Sequence, residues 1–137
     1  MGNTDKTVRT VRIYISDQMT GLTREQWEKN FEQLELKVIN EFYEKGYAAV
    51  TVFNPAFKVV NTCNGFTYEE CLEHDFTLID LSDAIYMGKN WSKSKGAKRE
   101  LLYAIAKRKK VYWEATCDFM VEVEKEFLKL SRCLEVC

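Results

Sequence analysis

Four short apolar segments, each followed by a helical pattern, constrain this chain more than any other feature. VRTVRIYIS (Val8–Ser16) alternates and then becomes wholly apolar, as a buried strand does. Thr23-Arg24-Glu25-Gln26 is a capping box, and Trp27, Phe31, Leu34, Val38 and Phe42 recur behind it at helical spacing until Gly46. YAAVTVFNP (Tyr47–Pro55) reads as a second strand, entering a loop that runs through Asn64-Gly65. Thr67-Tyr68-Glu69-Glu70 opens a second helix with Leu72, Phe76 and Ile79 on one face. DAIYM (Asp83–Met87) is a third strand, Gly88–Lys93 a polar loop, and Ser94–Lys109 a third helix. KVYWE is a fourth strand, and Asp118–Arg132 a last helix.

Strands alternating with amphipathic helices specify a parallel sheet covered on both faces. The expected class is α/β: a flavodoxin-like (Rossmann-like) three-layer sandwich around a four- to five-stranded parallel sheet. Residues 1–8 read as a flexible polar tail and 9–137 as one domain, a size suited to 137 residues.

Composition narrows the function classes. The net charge is −1, with Lys and Arg dispersed, so no basic stripe points to a nucleic-acid polymer. The Lys107–Lys110 run reads as cations at a helix C-terminus. Cys63, Cys71, Cys117, Cys133 and Cys137 form no CxxC pair and read as reduced thiols of a cytoplasmic protein. His74 is the only histidine, expected on an exposed helix surface, so no metal site is expected. No apolar run reaches the roughly 18 residues of a membrane span, and no secretory leader is visible. Trp27 and Phe31 are expected in the core. The last helix, with Phe119, Met120, Val123, Phe127, Leu128 and Leu130, is wide for one core-facing stripe, which suggests a homodimer or larger homo-oligomer.

Three polar outliers stand against this frame. Tyr14 lies near the carboxyl end of the first strand. Asp75 falls within the stripe of Leu72, Phe76 and Ile79, and Glu100 lies on the flank of Ala97, Leu101, Ala104 and Ile105. Parallel sheets bind ligands beyond the carboxyl ends of their strands, where all three can converge. A buried ionised carboxylate costs several kcal/mol unless paired, and two in one cleft tend toward separated pKa values. Spacing alone leaves two readings open: structural ion pairs with a nearby Arg or Lys, or a nucleophile and acid. Ser94 and Gly96 likewise suit an ordinary helix start or a phosphate seat.

RIYISDQMTGL, DFTLIDLSDAIYM and SKGAKRELLYAIA together resemble the nucleoside 2-deoxyribosyltransferase-like superfamily, in a small branch of phages and bacteria. The resemblance spans about Val11 to Glu114. It implies cleavage or transfer at the N-glycosidic bond of a (deoxy)nucleoside or nucleoside 5′-monophosphate, without a metal or organic cofactor. The G-x-x-x-E motif maps to Gly96 and Glu100, with Glu100 as nucleophile. Asp75, eight residues before Asp83, corresponds to the Asp that assists the leaving base, and Tyr14 to the residue that orients the nucleophile. Ser94, six residues before Glu100, corresponds to a phosphate contact. Ser16, Asp17, Met19, Gly21, Trp91 and Gly96 are expected around the substrate, with Trp91 open to base stacking or to packing. The implied partner is a small nucleoside or nucleotide, in the host cytoplasm if the gene is a phage's, and a neighbouring subunit often completes the pocket.

One departure qualifies the resemblance. The related pattern has Gly-Pro after I-Y-I-S, where this chain has Asp17-Gln18. That puts bulk and negative charge near the expected phosphate. It fits a changed substrate, a nucleoside without phosphate, or a pocket that binds a nucleotide signal without cutting it.

Overall fold

In the computed structural model, which describes residues 9–56 and 68–114, β-branched and aromatic runs form four parallel strands. They are β1 (Thr10–Ser16), β2 (Ala49–Phe53), β3 (Ala84–Met87) and β4 (Lys110–Trp113), in the order β2-β1-β3-β4. The helices are α1 (Arg24–Glu44), α2 (Tyr68–Asp80) and α3 (Lys95–Ala106), with a single 3-10 turn at Trp91–Lys93. This is the expected α/β sandwich with a four-stranded parallel sheet. The expected tail 1–8, the loop at Asn64-Gly65, the Thr67 cap, four of the cysteines and the helix 118–132 lie outside the described residues.

Period-two alternation along β1 divides the core into two. Val11, Ile13 and Ile15 face α1, where they pack with Phe31, Leu34, Val38 and Phe42. Tyr14 faces the other way, into a cluster with Ile79 of α2, Ile85 and Met87 of β3, and Ala97, Leu101 and Ala104 of α3. Trp27 is only partly buried against the first cluster, while Phe31 is fully in it. The capping box of α1 forms as its sequence requires: Thr23 Oγ1 accepts from the Gln26 N–H at 3.2 Å, and the Gln26 side chain accepts from the Thr23 N–H at 2.9 Å. Gly46, at φ 98°, follows the Lys45 cap and ends the helix.

Several boundaries differ from expectation. Helix α3 stops at Ala106 rather than Lys109, because Arg108 takes φ 60° and turns the chain into β4. The basic run therefore straddles the turn. Strand β2 is shorter than its apolar run, because Tyr47 and Ala48 serve the turn: the N–H groups of Tyr47 and Ala48 donate to the Phe42 and Arg9 carbonyls. His74 is half-buried rather than exposed.

Cross-links set the positions of α2 and α3. Arg99 donates to both carboxylate oxygens of Glu69, at 2.7 and 3.1 Å. Tyr103 stacks on Phe76 with ring centroids 4.2 Å apart and donates its hydroxyl to Asp80. At the far end of the strands, the Asp83 carboxylate accepts from the Arg12 N–H at 2.8 Å, which fixes β3 beside β1.

Leu101 is fully buried between α3 and the sheet, whereas Leu36 on α1 is 57% exposed. Leu101→Ala is expected to cost about 2–5 kcal/mol and Leu36→Ala less than about 0.5 kcal/mol, read by urea unfolding. Equal costs would contradict this packing.

Candidate functional site

The sheet order reverses direction between β1 and β3, and the polar core of the molecule lies at their carboxyl ends. Tyr14 and Ser16 are two residues apart on β1, so their side chains share one face. Both are fully buried. The Tyr14 hydroxyl donates to Glu100 Oε2 at 2.8 Å, and the Ser16 hydroxyl to Glu100 Oε1 at 2.7 Å. Each carboxylate oxygen thus has its own strand-borne donor.

Helix α3 makes this possible through its small residues. Ala97, Leu101 and Ala104 form the buried stripe, and Glu100 is one residue from Leu101 on the same buried surface. The two alanines bring the helix backbone close to β1, and a carboxylate side chain then spans the gap. Glu100 is therefore on the core-facing side itself, not on the flank that the helical wheel suggested. Its exposure is only 7%.

Asp75 projects from α2 into the same polar centre and is equally buried. Its carboxyl lies near enough to act electrostatically on both Glu100 and Tyr14. Burial, and then the Asp75 charge, push the Glu100 carboxyl up to about 8, against the opposing pull of the Ser16 and Tyr14 hydroxyls. Burial and the two carboxylates push the Tyr14 hydroxyl well above its ordinary value, so it remains a donor. No cation forms an ion pair with Glu100 among the described residues, so its partners are two hydroxyls and a second carboxyl. Ser16, expected among the substrate contacts, has its hydroxyl bonded to Glu100, a role that nothing about a serine at a strand end signals.

The remaining expected residues surround this centre at different depths. Asp17 turns toward β3: its Oδ1 accepts from the N–H groups of Gln18 at 2.7 Å and Asn90 at 3.1 Å. Burial raises its carboxyl, and these two N–H groups pull it back. The side chain lies so close to Gly88 that a Cβ there would sit 2.8 Å from the Asp17 Cβ and overlap the carboxyl. Only glycine fits at 88. Met19 packs against the α1-side core. Gly21, at φ 87°, makes the left-handed step of the turn that the Leu22 N–H closes onto the Met19 carbonyl at 3.1 Å. Ser94 is the N-cap of α3, with its Oγ accepting from the Ala97 N–H at 3.2 Å, and Gly96 lies in the helix's first turn. Trp91 is 1% exposed and tilts against Trp113 with centroids 5.6 Å apart. Of the two roles open to it, packing is the one this arrangement displays. Its buried Nε1–H has no hydrogen-bond partner among the described residues.

Among the described residues, no group of three or more His, Cys, Asp and Glu side chains is arranged to hold a metal ion. No helix among them is long and apolar enough to cross a membrane.

The chain belongs to the DUF4406 family, a domain of unknown function, whose sequence profile matches residues 11–113. That span holds all ten residues singled out above. No curated protein and no solved structure matches the chain.

The raised Glu100 carboxyl has a consequence for stability. Between the ordinary value of 4.5 and about 8, the folded chain holds a proton that the unfolded chain has released. Stability therefore falls as pH rises through that interval. Glu100→Gln removes the titrating group, and its unfolding free energy is expected to decline less across this range, leaving it the more stable protein at pH 9. Denaturant melts at a series of pH values read this directly, and parallel pH profiles would contradict the burial of Glu100 as a proton-holding group.

Proposed function

We propose that the chain cleaves the N-glycosidic bond of a (deoxy)nucleoside or nucleoside 5′-monophosphate, or transfers its sugar, with Glu100 as nucleophile and Asp75 as acid. One observation carries this reading: two carboxyls from separate helices meet in a buried centre, and one of them is gripped by two hydroxyls of β1. Paired carboxyls with different environments are the usual means of dividing nucleophile from acid. The resemblance of the chain's motifs to the nucleoside 2-deoxyribosyltransferase-like superfamily supports the same assignment.

The steps follow from the environments. The reactive form is the one in which the proton that Glu100 holds below about pH 8 has passed to Asp75, leaving Glu100 a carboxylate stabilised by the Tyr14 and Ser16 hydroxyls. The base departs with the electrons of the C1′–N bond and takes the Asp75 proton. The sugar acquires oxocarbenium character, and a Glu100 oxygen closes on C1′ to form an ester. Water, losing a proton to Asp75, or the nitrogen of a second base then displaces Glu100 from C1′. The close approach of the two carboxyls, with the Asp75 charge acting on Glu100, is compatible with this double displacement, for which carboxyls about 5–5.5 Å apart are usual. A single displacement needs about 6.5–9.5 Å between carboxyls to admit the attacking water.

This reading takes a small nucleoside or nucleotide as partner, in the cytoplasm, by a chain that acts as a homo-oligomer without metal or organic cofactor. A second reading has one observation in its favour. A Glu100 carboxyl pushed up to about 8 is largely protonated at neutral pH, which suits a hydrogen-bonding ligand site without turnover. In that case the chain binds a nucleotide or nucleotide-derived signal intact.

Incubation with a panel of deoxyribonucleosides, ribonucleosides and their monophosphates, followed by chromatography for free base, separates the two. The enzyme releases base, Glu100→Ala abolishes the release, and Asp75→Asn lowers it by about 10²–10⁴-fold. Saturable binding with every ligand recovered intact supports the binding protein. Base release that survives Glu100→Ala contradicts the proposed nucleophile.

A further inference from the structure

We propose that Asp17 is a specificity residue: its carboxylate fills the anion seat where the sheet order reverses, and so selects a sugar that carries no 5′-phosphate. The inference rests on the glycosidic reading and adds the substrate class to it.

In a parallel sheet of order β2-β1-β3-β4, the crevice between the ends of β1 and β3 is where ligands are held. N–H groups in the loops leaving those strands ordinarily take the ligand's anionic part. Here two of those groups are occupied. The Gln18 N–H, in the loop after β1, and the Asn90 N–H, in the loop after β3, both donate to Asp17 Oδ1. The carboxyl lies directly against Gly88, the one residue type that leaves room for it. The two loops thus close on an anion supplied by the chain itself. Asp17 follows Ser16 in sequence, and the charges that act on it are those of Glu114 and Lys89.

Two further anion donors of the rim are also engaged. Ser94 Oγ accepts the Ala97 N–H at the start of α3, which removes one backbone donor from that helix end. The guanidinium of Arg99 is turned to Glu69 on α2, in a two-pronged pair. A 5′-phosphate arriving here meets spent donors and a like charge, a juxtaposition that selects against such a partner. A 5′-hydroxyl meets the opposite situation. Asp17 Oδ2 accepts no hydrogen bond among the described residues, and it suits an O–H donor.

Two measurements on the full chain test this, each with the wild type, Asp17→Asn and Asp17→Gly. The first is a calorimetric titration with inorganic phosphate alone. The wild type is expected to show no saturable binding at millimolar phosphate, and Asp17→Gly, which vacates the seat, is expected to gain it. The second compares the binding of a deoxynucleoside with that of its 5′-monophosphate. The wild type is expected to favour the nucleoside by about tenfold or more, and Asp17→Asn, which keeps the shape without the charge, to shift that ratio toward the monophosphate by about the same factor. A wild type that prefers the monophosphate, or phosphate binding that is the same in wild type and Asp17→Gly, overturns the proposal. A wild type that takes neither nucleoside nor monophosphate defeats the glycosidic reading, while the phosphate titration still decides the role of Asp17.

Discussion

A carboxyl group sealed between a helix and a sheet is the constraint on which this structure turns. Glu100 is withdrawn from water, and each of its oxygens left bare would cost about 1–3 kcal/mol. Tyr14 and Ser16 remove that penalty only if β1 and α3 meet in one register. The hydroxyls must be two residues apart on the strand, and the helix must lie close enough for a glutamate to reach them. Ala97 and Ala104 provide the close approach, and Leu101 provides apolar contact beside the polar one. Packing and polar satisfaction thus specify the same docking.

The two faces of the sheet divide their tasks accordingly. The α1 face is an apolar core, built from Val11, Ile13 and Ile15 against the long amphipathic helix. The opposite face gives up part of its apolar contact to Tyr14, Asp75 and Glu100. It regains order from the links between α2 and α3: the Arg99–Glu69 pair, the Phe76–Tyr103 stack and the Tyr103–Asp80 hydrogen bond. These links hold Asp75 beside Glu100 from a separate helix. Two carboxyls kept together without an ion-paired cation on Glu100 form an unfavourable arrangement for stability alone, and a site of proton exchange is what such an arrangement suits.

Much of this was legible in the sequence because it is written in local periodicity. Alternation along RIYIS and the 3.6-residue stripes fixed the element order, and Asp75 stood out as an acid within an apolar stripe. Glu100 was recognisable as out of place, but its depth was not, since a helical wheel cannot register how near two alanines bring the backbone. Pairings across the chain were less accessible. Ser16 looks like any strand-end serine until α3 is seen 84 positions away. The inward turn of Asp17 depends on Gly88 and Asn90 in another loop. Trp91 read equally as ligand platform or core, and only the neighbouring Trp113 shows its packing. The basic run after α3 misled the helix boundary because Arg108 breaks the helix through its own backbone, not through a glycine or proline.

Attack of Glu100 on a sugar carbon is tested directly by intact-protein and peptide mass spectrometry after exposure to a 2′-fluoro-arabinosyl nucleoside, whose electron-withdrawing fluorine slows breakdown of the glycosyl ester by disfavouring the oxocarbenium-like transition state. The expected result is a mass increase equal to one fluorinated sugar residue, located on Glu100. Base release from ordinary nucleosides with the adduct on a different residue, or with no adduct at any time, would contradict it.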